Sequence, residues 1–268
     1  MHSYTAVNFG LREEYLAALK EKREPPTRYP KNINLREYLY YAAIPSLVYE
    51  LEYPQSKESF RLSYFLIKLF FALLLVLTVY LILCDTWIPL FNDFISGKIG
   101  SILEFYMRLV LPFGAAFFLV FLIVFEYVCN CYAELTRFGD RLFYQDFWNC
   151  ITYDEFSRKW NRVVHEFLYR HFYLALIHKG YTPGKSYIAT VLYSSFLHEY
   201  FIICTLKIYR PYMIIMMFSQ LTMTFLYVGI FRLKKGTSIG NIMYWTAQLF
   251  GQTYLALLYT VDYLDVTK

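Results

Sequence analysis

Five stretches of this chain are long and apolar enough to cross a lipid bilayer, and that leaves few folds open to it. A spanning helix needs about 20 mostly apolar residues, and the runs lie at roughly 62–83, 109–131, 187–206, 211–231 and 242–264. Each reads as a helix, because hydrocarbon offers no partner to backbone N–H and C=O groups, and only helices or closed barrels satisfy their own. Barrel strands would alternate polar and apolar residues over about ten positions, and no such alternation occurs. Composition agrees: 57% of the 268 residues are apolar, 21% aromatic and only 18% charged, where a soluble domain carries roughly 25% charged residues. The sequence therefore predicts an all-α integral membrane protein with about five transmembrane helices plus interfacial amphipathic helices. Five scattered cysteines (Cys84, Cys129, Cys131, Cys150, Cys204) without a C-x-x-C pair read as reduced or buried thiols.

Orientation follows from where Lys and Arg fall. The leading segment 1–61 carries Arg12, Lys20, Lys22, Arg23, Arg28, Lys31, Arg36, Lys57 and Arg61, whereas the connection after the first run carries Lys98 before the next apolar stretch. The region 134–186 again holds eight basic residues, and Arg232, Lys234 and Lys235 follow the fourth run, with Lys268 at the end. The expectation is a cytosolic N-terminal segment (1–61) with an interfacial helix and a membrane domain over 62–268. Its motif region, 134–186, would be cytosolic and its C-terminus lumenal. No cleavable signal peptide is visible, since the first long apolar run starts past residue 60, so insertion through an internal anchor into the endoplasmic reticulum is expected. The net charge of +5 suits anionic headgroups or an anionic soluble ligand, not nucleic acid.

Ionisable residues inside apolar spans are functional candidates by default. His198 and Glu199 stand together in the third run. Successive helical residues point about 100° apart, so Glu199 cannot orient its own neighbour and must face something else. H-E-Y-F-I-I is not H-E-x-x-H, which removes a zinc-protease reading, and no metal-ligand cluster or nucleotide-binding glycine loop is present. Lys68, near the start of the first run, is expected to snorkel to the interface. Between runs two and three, Phe156, Trp160, Val163, Val164, Phe167, Leu168 and Phe172 recur at helical spacing, which predicts an amphipathic interfacial helix. Asn161 and His165, four apart, would share one of its faces.

Upstream of that helix, F-Y-Q-D-F-W-N resembles the F-Y-x-D-W-W-N signature of the membrane-bound O-acyltransferases, in the branch that esterifies sterols or diacylglycerol. The resemblance extends to M-H-S-Y, Y-P-K-N-I-N, P-S-L-V-Y-E-L-E-Y-P, C-Y-A-E-L-T-R-F-G-D-R, D-E-F-S-R-K-W-N and S-S-F-L-H-E-Y, and is most like fungal sterol acyltransferases. It implies a membrane acyltransferase domain with His198 as catalytic general base and Asn161 as its partner. It also implies that Tyr144, Asp146, Trp148 and Asn149 line the acyl-CoA region, with Glu199 and Gln252 on the substrate side. Arg137, Arg141, Arg158, Lys159 and Arg162 would meet the coenzyme A phosphates. The implied partners are fatty acyl-CoA, a sterol or diacylglycerol, the bilayer and a second copy of the chain. No cofactor beyond acyl-CoA as co-substrate, no metal and no nucleic acid is implied.

Phe147 stands where the signature has its first Trp, and Val163 where the family has Pro in W-N-x-P-V-H. The family also carries further N-terminal spans, so this chain is expected to be an N-terminally short member. Sterol is the favoured acceptor, on the A-E-L-T-R-F-G-D-R block, while R-H-F-Y and G-Q-T-Y-L-A-L-L-Y lean toward diacylglycerol. A non-catalytic subunit or remnant of such an enzyme is the alternative. The reading requires the imidazole of His198 and the carboxamide of Asn161 to share one cavity.

Overall fold

A computed structural model of the chain describes residues 2–22, 29–234 and 236–266, the last three by their backbone alone. Arg23, Arg28, Lys235 and Lys268, which bear on the expected orientation, lie outside the described residues. Nine helices run through the described residues: α1 His2–Lys20, α2 Leu35–Ala43, α3 Leu62–Ile95, α4 Ile102–Thr136, α5 Tyr153–Trp160, α6 162–178, α7 Pro183–Leu206, α8 Tyr212–Ile230 and α9 Ser238–Val266. No strand occurs among them, and one isolated bridge pairs Gln55 with Phe138.

The protein is an all-α integral membrane protein. Helices α3, α4, α7 and α8 are long and apolar enough to cross a bilayer by length and composition. Helix α9, 29 residues long, carries Asn241, Gln248, Gln252 and Asp262 and is more polar. Leu62, Leu66, Ile67, Phe70 and Leu73 of α3 are exposed. Each would lose about 1.5–3 kcal/mol of burial free energy in water, a penalty that hydrocarbon removes.

Local chemistry sets the helix ends. Ser101 accepts the Leu103 N–H at 3.2 Å and starts α4 well before the apolar run at 109, so Pro112 sits inside the helix and not in its first turn. Thr152 caps α5 through the Glu155 N–H at 3.2 Å, and Thr182 precedes Pro183, which suits the first helical turn because its missing N–H would be unpaired there anyway. Four π-helical turns interrupt the α-geometry, at Leu83–Trp87, Leu122–Val128, Tyr169–Tyr173 and Leu226–Ile230. The first three each insert roughly one residue into the helical repeat and re-aim the helix beyond it, whereas the turn at Leu226–Ile230 ends α8.

Helices α4 and α9 approach closely at Gly114, where a Cβ would meet Leu249 Cδ1 at 2.5 Å. The largest buried cluster gathers Phe121 and Phe125 of α4, Tyr227 of α8, Tyr244 of α9 and Phe138, Phe143, Phe147 and Cys150 of the connecting loop. The loop that carries the signature is thus packed as core. The N-terminal segment is strapped to it: Gly139 N–H donates to Pro54 O at 2.7 Å and Ser56 N–H to Arg137 O at 2.8 Å. A Cβ at Gly139 would sit 3.0 Å from Pro54 O, which explains glycine at that crossing.

Candidate active site

His198 lies on α7 and is exposed, between the exposed Leu197 and Phe196 on one side and Tyr200 and Phe201 on the other. Its Nδ1 is 2.7 Å from Ser194 O, one turn back. A carbonyl only accepts, so Nδ1 carries the proton and Nε2 holds the lone pair. Nε2 has no hydrogen-bond partner among the described residues. The cavity that His198 was expected to share with Asn161 is not formed by these residues, since the ring lies on an open apolar face.

Glu199, one position on, is only 5% exposed. Its Oε2 accepts the N–H groups of Met213 and Ile214 at 3.1 and 3.2 Å, and its Oε1 accepts the Tyr259 hydroxyl at 2.7 Å. A carboxylate here satisfies orphan donors at the start of α8 and complements the positive end of that helix. Glu199 thereby joins α7, α8 and α9. Gln252 of α9 is half-buried and has no hydrogen-bond partner among the described residues.

Asn161 departs from the expected continuous helix. Its φ and ψ of −140° and 84° end α5, and its Oδ1 accepts the Val164 N–H at 3.0 Å, capping α6. The amphipathic stripe is therefore broken. Trp160, expected at the bilayer surface, stacks on Phe117 and packs at a tilt against Phe121 instead, with ring centroids 4.8 and 4.3 Å away. The Asn161 Nδ2 remains without a partner among the described residues. His165, one turn into α6, is half-buried, and burial lowers its pKa and favours the neutral ring.

The signature loop is held at several points. Tyr144 donates to Glu126 Oε2 at 2.7 Å, and burial together with that carboxylate pushes the phenol up to about 12, so it stays a donor. Asp146 pairs with Lys159 at 3.0 Å, which lowers its pKa. Trp148 presents an exposed ring, while its carbonyl accepts from Asn241 Nδ2 at 2.7 Å and Trp245 Nε1 at 2.8 Å. Asn149 is exposed, with its Nδ2 3.5 Å from Asp146 Oδ2. Phe147 is buried, with its centroid 4.7 Å from Phe121 and 4.9 Å from Trp160.

The basic residues expected to meet phosphates all have partners within the chain: Arg137 with Ser56 O, Arg141 with Glu134, Arg158 with Asp154, Lys159 with Asp146 and Glu155, and Arg162 with Leu142 O. Lys68 does not snorkel; it forms an ion pair with Glu126. That pairing was readable in principle, since opposite charges near the start of one run and the end of the next lie at similar depth in antiparallel helices. No hydrogen bond joins Asn161 to His198 among the described residues. Neither lines the cavity of about 600 Å³ between α2 and residues 49–55, where Arg36, Tyr40, Glu50 and Tyr53 meet.

Comparison with known proteins places the chain. The family model described as membrane-bound O-acyltransferase matches residues 3–261. "Probable sterol O-acyltransferase 1" of Schizosaccharomyces pombe is 32% identical over 94% of this chain and 48% of its own length. "Probable sterol O-acyltransferase 2" of the same yeast is 36% identical over 86% of this chain and 51% of its own. Human "Diacylglycerol O-acyltransferase 1" is 31% identical over 88% and 48%, respectively. The chain thus spans about half the length of these curated relatives. Its match from residue 3 to residue 261, across the loop and α7 alike, makes it a member of the membrane-bound O-acyltransferase family.

Proposed function

We propose that the chain is an acyl-CoA-dependent O-acyltransferase that esterifies a neutral-lipid hydroxyl, with a sterol favoured over diacylglycerol and His198 as general base. The observation that carries this reading is the tautomer of His198: Nδ1 is committed to Ser194 O at 2.7 Å, which leaves Nε2 ready to accept a proton within an apolar span. A lipid alcohol attacks poorly until its proton is removed, and a positioned base contributes about 10²–10⁴-fold. In the step, Nε2 takes the hydroxyl proton as oxygen bonds to the thioester carbonyl carbon. The tetrahedral intermediate then breaks its C–S bond, and the coenzyme A thiolate recovers the proton. The Asn161 Nδ2 is the donor proposed for the developing oxyanion, a role that is typically worth about 10²–10³-fold. Tyr144, Asp146, Trp148 and Asn149 are proposed to line the acyl-CoA region, with Glu199 and Gln252 near the acceptor.

Sterol is favoured on the A-E-L-T-R-F-G-D-R block; in overall identity the sterol relatives, at 32% and 36%, stand beside diacylglycerol relatives at 31% and 32%. The proposed setting is the endoplasmic reticulum membrane, with five spans, the signature loop at the cytosolic face and a homo-oligomeric assembly. A second reading, a non-catalytic subunit of such an enzyme, is favoured by the exposure of His198 and by the lack of a hydrogen bond between it and Asn161 among the described residues. The test is reconstitution in liposomes with labelled oleoyl-CoA and, separately, cholesterol, ergosterol or diacylglycerol. Ester formed by the wild type and lost in His198→Ala, with the fold retained, supports the enzyme. No ester with any acceptor supports the subunit.

A further inference from the structure

Helices α3 and α4 are joined by three polar rungs. Lys68 pairs with Glu126, Tyr64 Oη donates to Asn130 Oδ1 at 3.2 Å, and Arg61 Nη2 meets Glu134 Oε2 at 3.0 Å. On α4 these residues recur every four positions; Tyr64 and Lys68 lie four apart on α3 and Arg61 immediately precedes its first turn, so they form one stripe along two adjacent antiparallel helices. The Tyr64 ring at the centre has Arg61, Lys68 and Arg141 at 4.6, 5.4 and 5.5 Å from its centroid. The two outer rungs are each shared with the signature loop. Glu134, 3% exposed, also takes Arg141 Nη2 at 2.7 Å, and Glu126 also takes the Tyr144 hydroxyl at 2.7 Å.

We propose that this ladder sets the register of the F-Y-Q-D-F-W-N loop against the membrane helices, with Glu126 and Glu134 as positioning residues that act through Tyr144 and Arg141. The dimensions fit. Two carboxylates eight residues apart on a helix are separated by about 12 Å along its axis, and the non-helical step from Arg141 to Tyr144 spans about 10 Å when extended. A one-residue slip of the loop would break both contacts at once. An ion pair at such depth is unstable if either partner is lost, because the remaining charge is left bare in a medium of low dielectric. The functional consequence, placement of the acyl-CoA region, rests on the acyl-transfer reading; the geometric claim does not.

The test uses the full chain in lipid nanodiscs. Cys150 ends the loop and is fully buried, so its alkylation by N-ethylmaleimide, resolved by peptide mass spectrometry, reports release of the loop without requiring turnover. Tyr144→Phe is expected to raise that rate about tenfold, the scale of one lost hydrogen bond to a charged group. Lys68→Met/Glu126→Leu removes the ion pair without stranding a charge and also removes the acceptor; it should match Tyr144→Phe, and adding Tyr144→Phe to it should change nothing further. Lys68→Met/Glu126→Gln removes the same charges but keeps an acceptor for Tyr144, and should label at the wild-type rate. In the turning-over enzyme, the larger change in Lys68→Met/Glu126→Leu should fall on KM for oleoyl-CoA, not kcat. Equal labelling of the Leu and Gln double variants, or Tyr144→Phe at the wild-type rate, would overturn the ladder. A wild type that makes no ester, yet shows the labelling pattern, would sink only the acyl-transfer reading.

Discussion

Replacing Glu199 separates its structural work from any contact with substrate. Glu199→Ala removes the acceptor for three donors, the N–H groups of Met213 and Ile214 and the Tyr259 hydroxyl. Three stranded donors at about 1–3 kcal/mol each would suggest up to about 9 kcal/mol. The surroundings reroute two of them: Met213 N–H also reaches Tyr259 Oη at 3.1 Å, and Tyr259 also donates to Arg210 O at 3.3 Å. Only the Ile214 N–H is then left bare, together with the void of the side chain, so the loss should be about 2–4 kcal/mol. Glu199→Gln keeps one acceptor for the Met213 and Ile214 N–H groups and turns its NH2 toward Tyr259 Oη, which can donate to Arg210 O instead, so the main loss is the charge at the start of α8, about 0.3–1 kcal/mol. Thermal unfolding in detergent micelles, followed with a thiol-reactive dye, should show a midpoint drop of roughly 5–15 °C for Ala and about 1–4 °C for Gln. An alanine variant as stable as the wild type, or a glutamine variant that falls equally far, would refute the bracing role. If Glu199→Gln keeps its midpoint but loses ester formation, the carboxylate also serves the acceptor.

Three other outcomes are expected. Gly139→Ala places a methyl group 3.0 Å from Pro54 O and should loosen the loop by about 1–3 kcal/mol, read as faster tryptic cleavage at Arg137 and Arg141. Phe147→Ala should destabilise the chain by about 3–5 kcal/mol and flatten the near-ultraviolet circular dichroism, because Phe147 is 2% exposed among rings packed mostly edge to face. His171 Nε2 lies 2.7 Å from the Ser3 hydroxyl, which also accepts the Tyr49 N–H, and burial, His2 and Arg170 lower the His171 pKa below the ordinary 6.5. The folded state therefore prefers the neutral ring, so this contribution is present above pH 6.5 and is lost as the pH falls below it. Hydrogen exchange of α1 should accelerate as the medium is acidified, and Ser3→Ala should flatten that dependence.

The membrane helices were legible because length and apolarity alone report them, and the signature was legible because its polar members are rare in such company. Glu199 facing away from the His198 partner follows from helical geometry alone. The break at Asn161 was harder, since W-N-R-V-V-H keeps its apolar period straight through it. One clue was present: the family's proline would stand at position 163, the second residue of α6, where a missing N–H is tolerated. That proline marks a helix start, and Val163 hides it here. The Lys68–Glu126 pair joins residues far apart in sequence; periodicity within one span does not name a partner in another, and only the matching depth of the two charges pointed to it. The exposure of His198 was not legible because an apolar run says that a face is covered but not by what.

The π turn at Leu122–Val128 splits α4 into two staves of one barrel plank. The stave before it meets α9, through Gly114 against Leu249 and Tyr106 against Phe250 O, as well as α3; the stave after it meets α3 and the residue before it, through Asn130 and Glu134. Because the extra residue sets the rotation between the two staves, excising a single residue from the turn would swing the second by about 100° and carry Asn130 and Glu134 away from Tyr64 and Arg61, so the length of that turn is fixed by the seam beyond it.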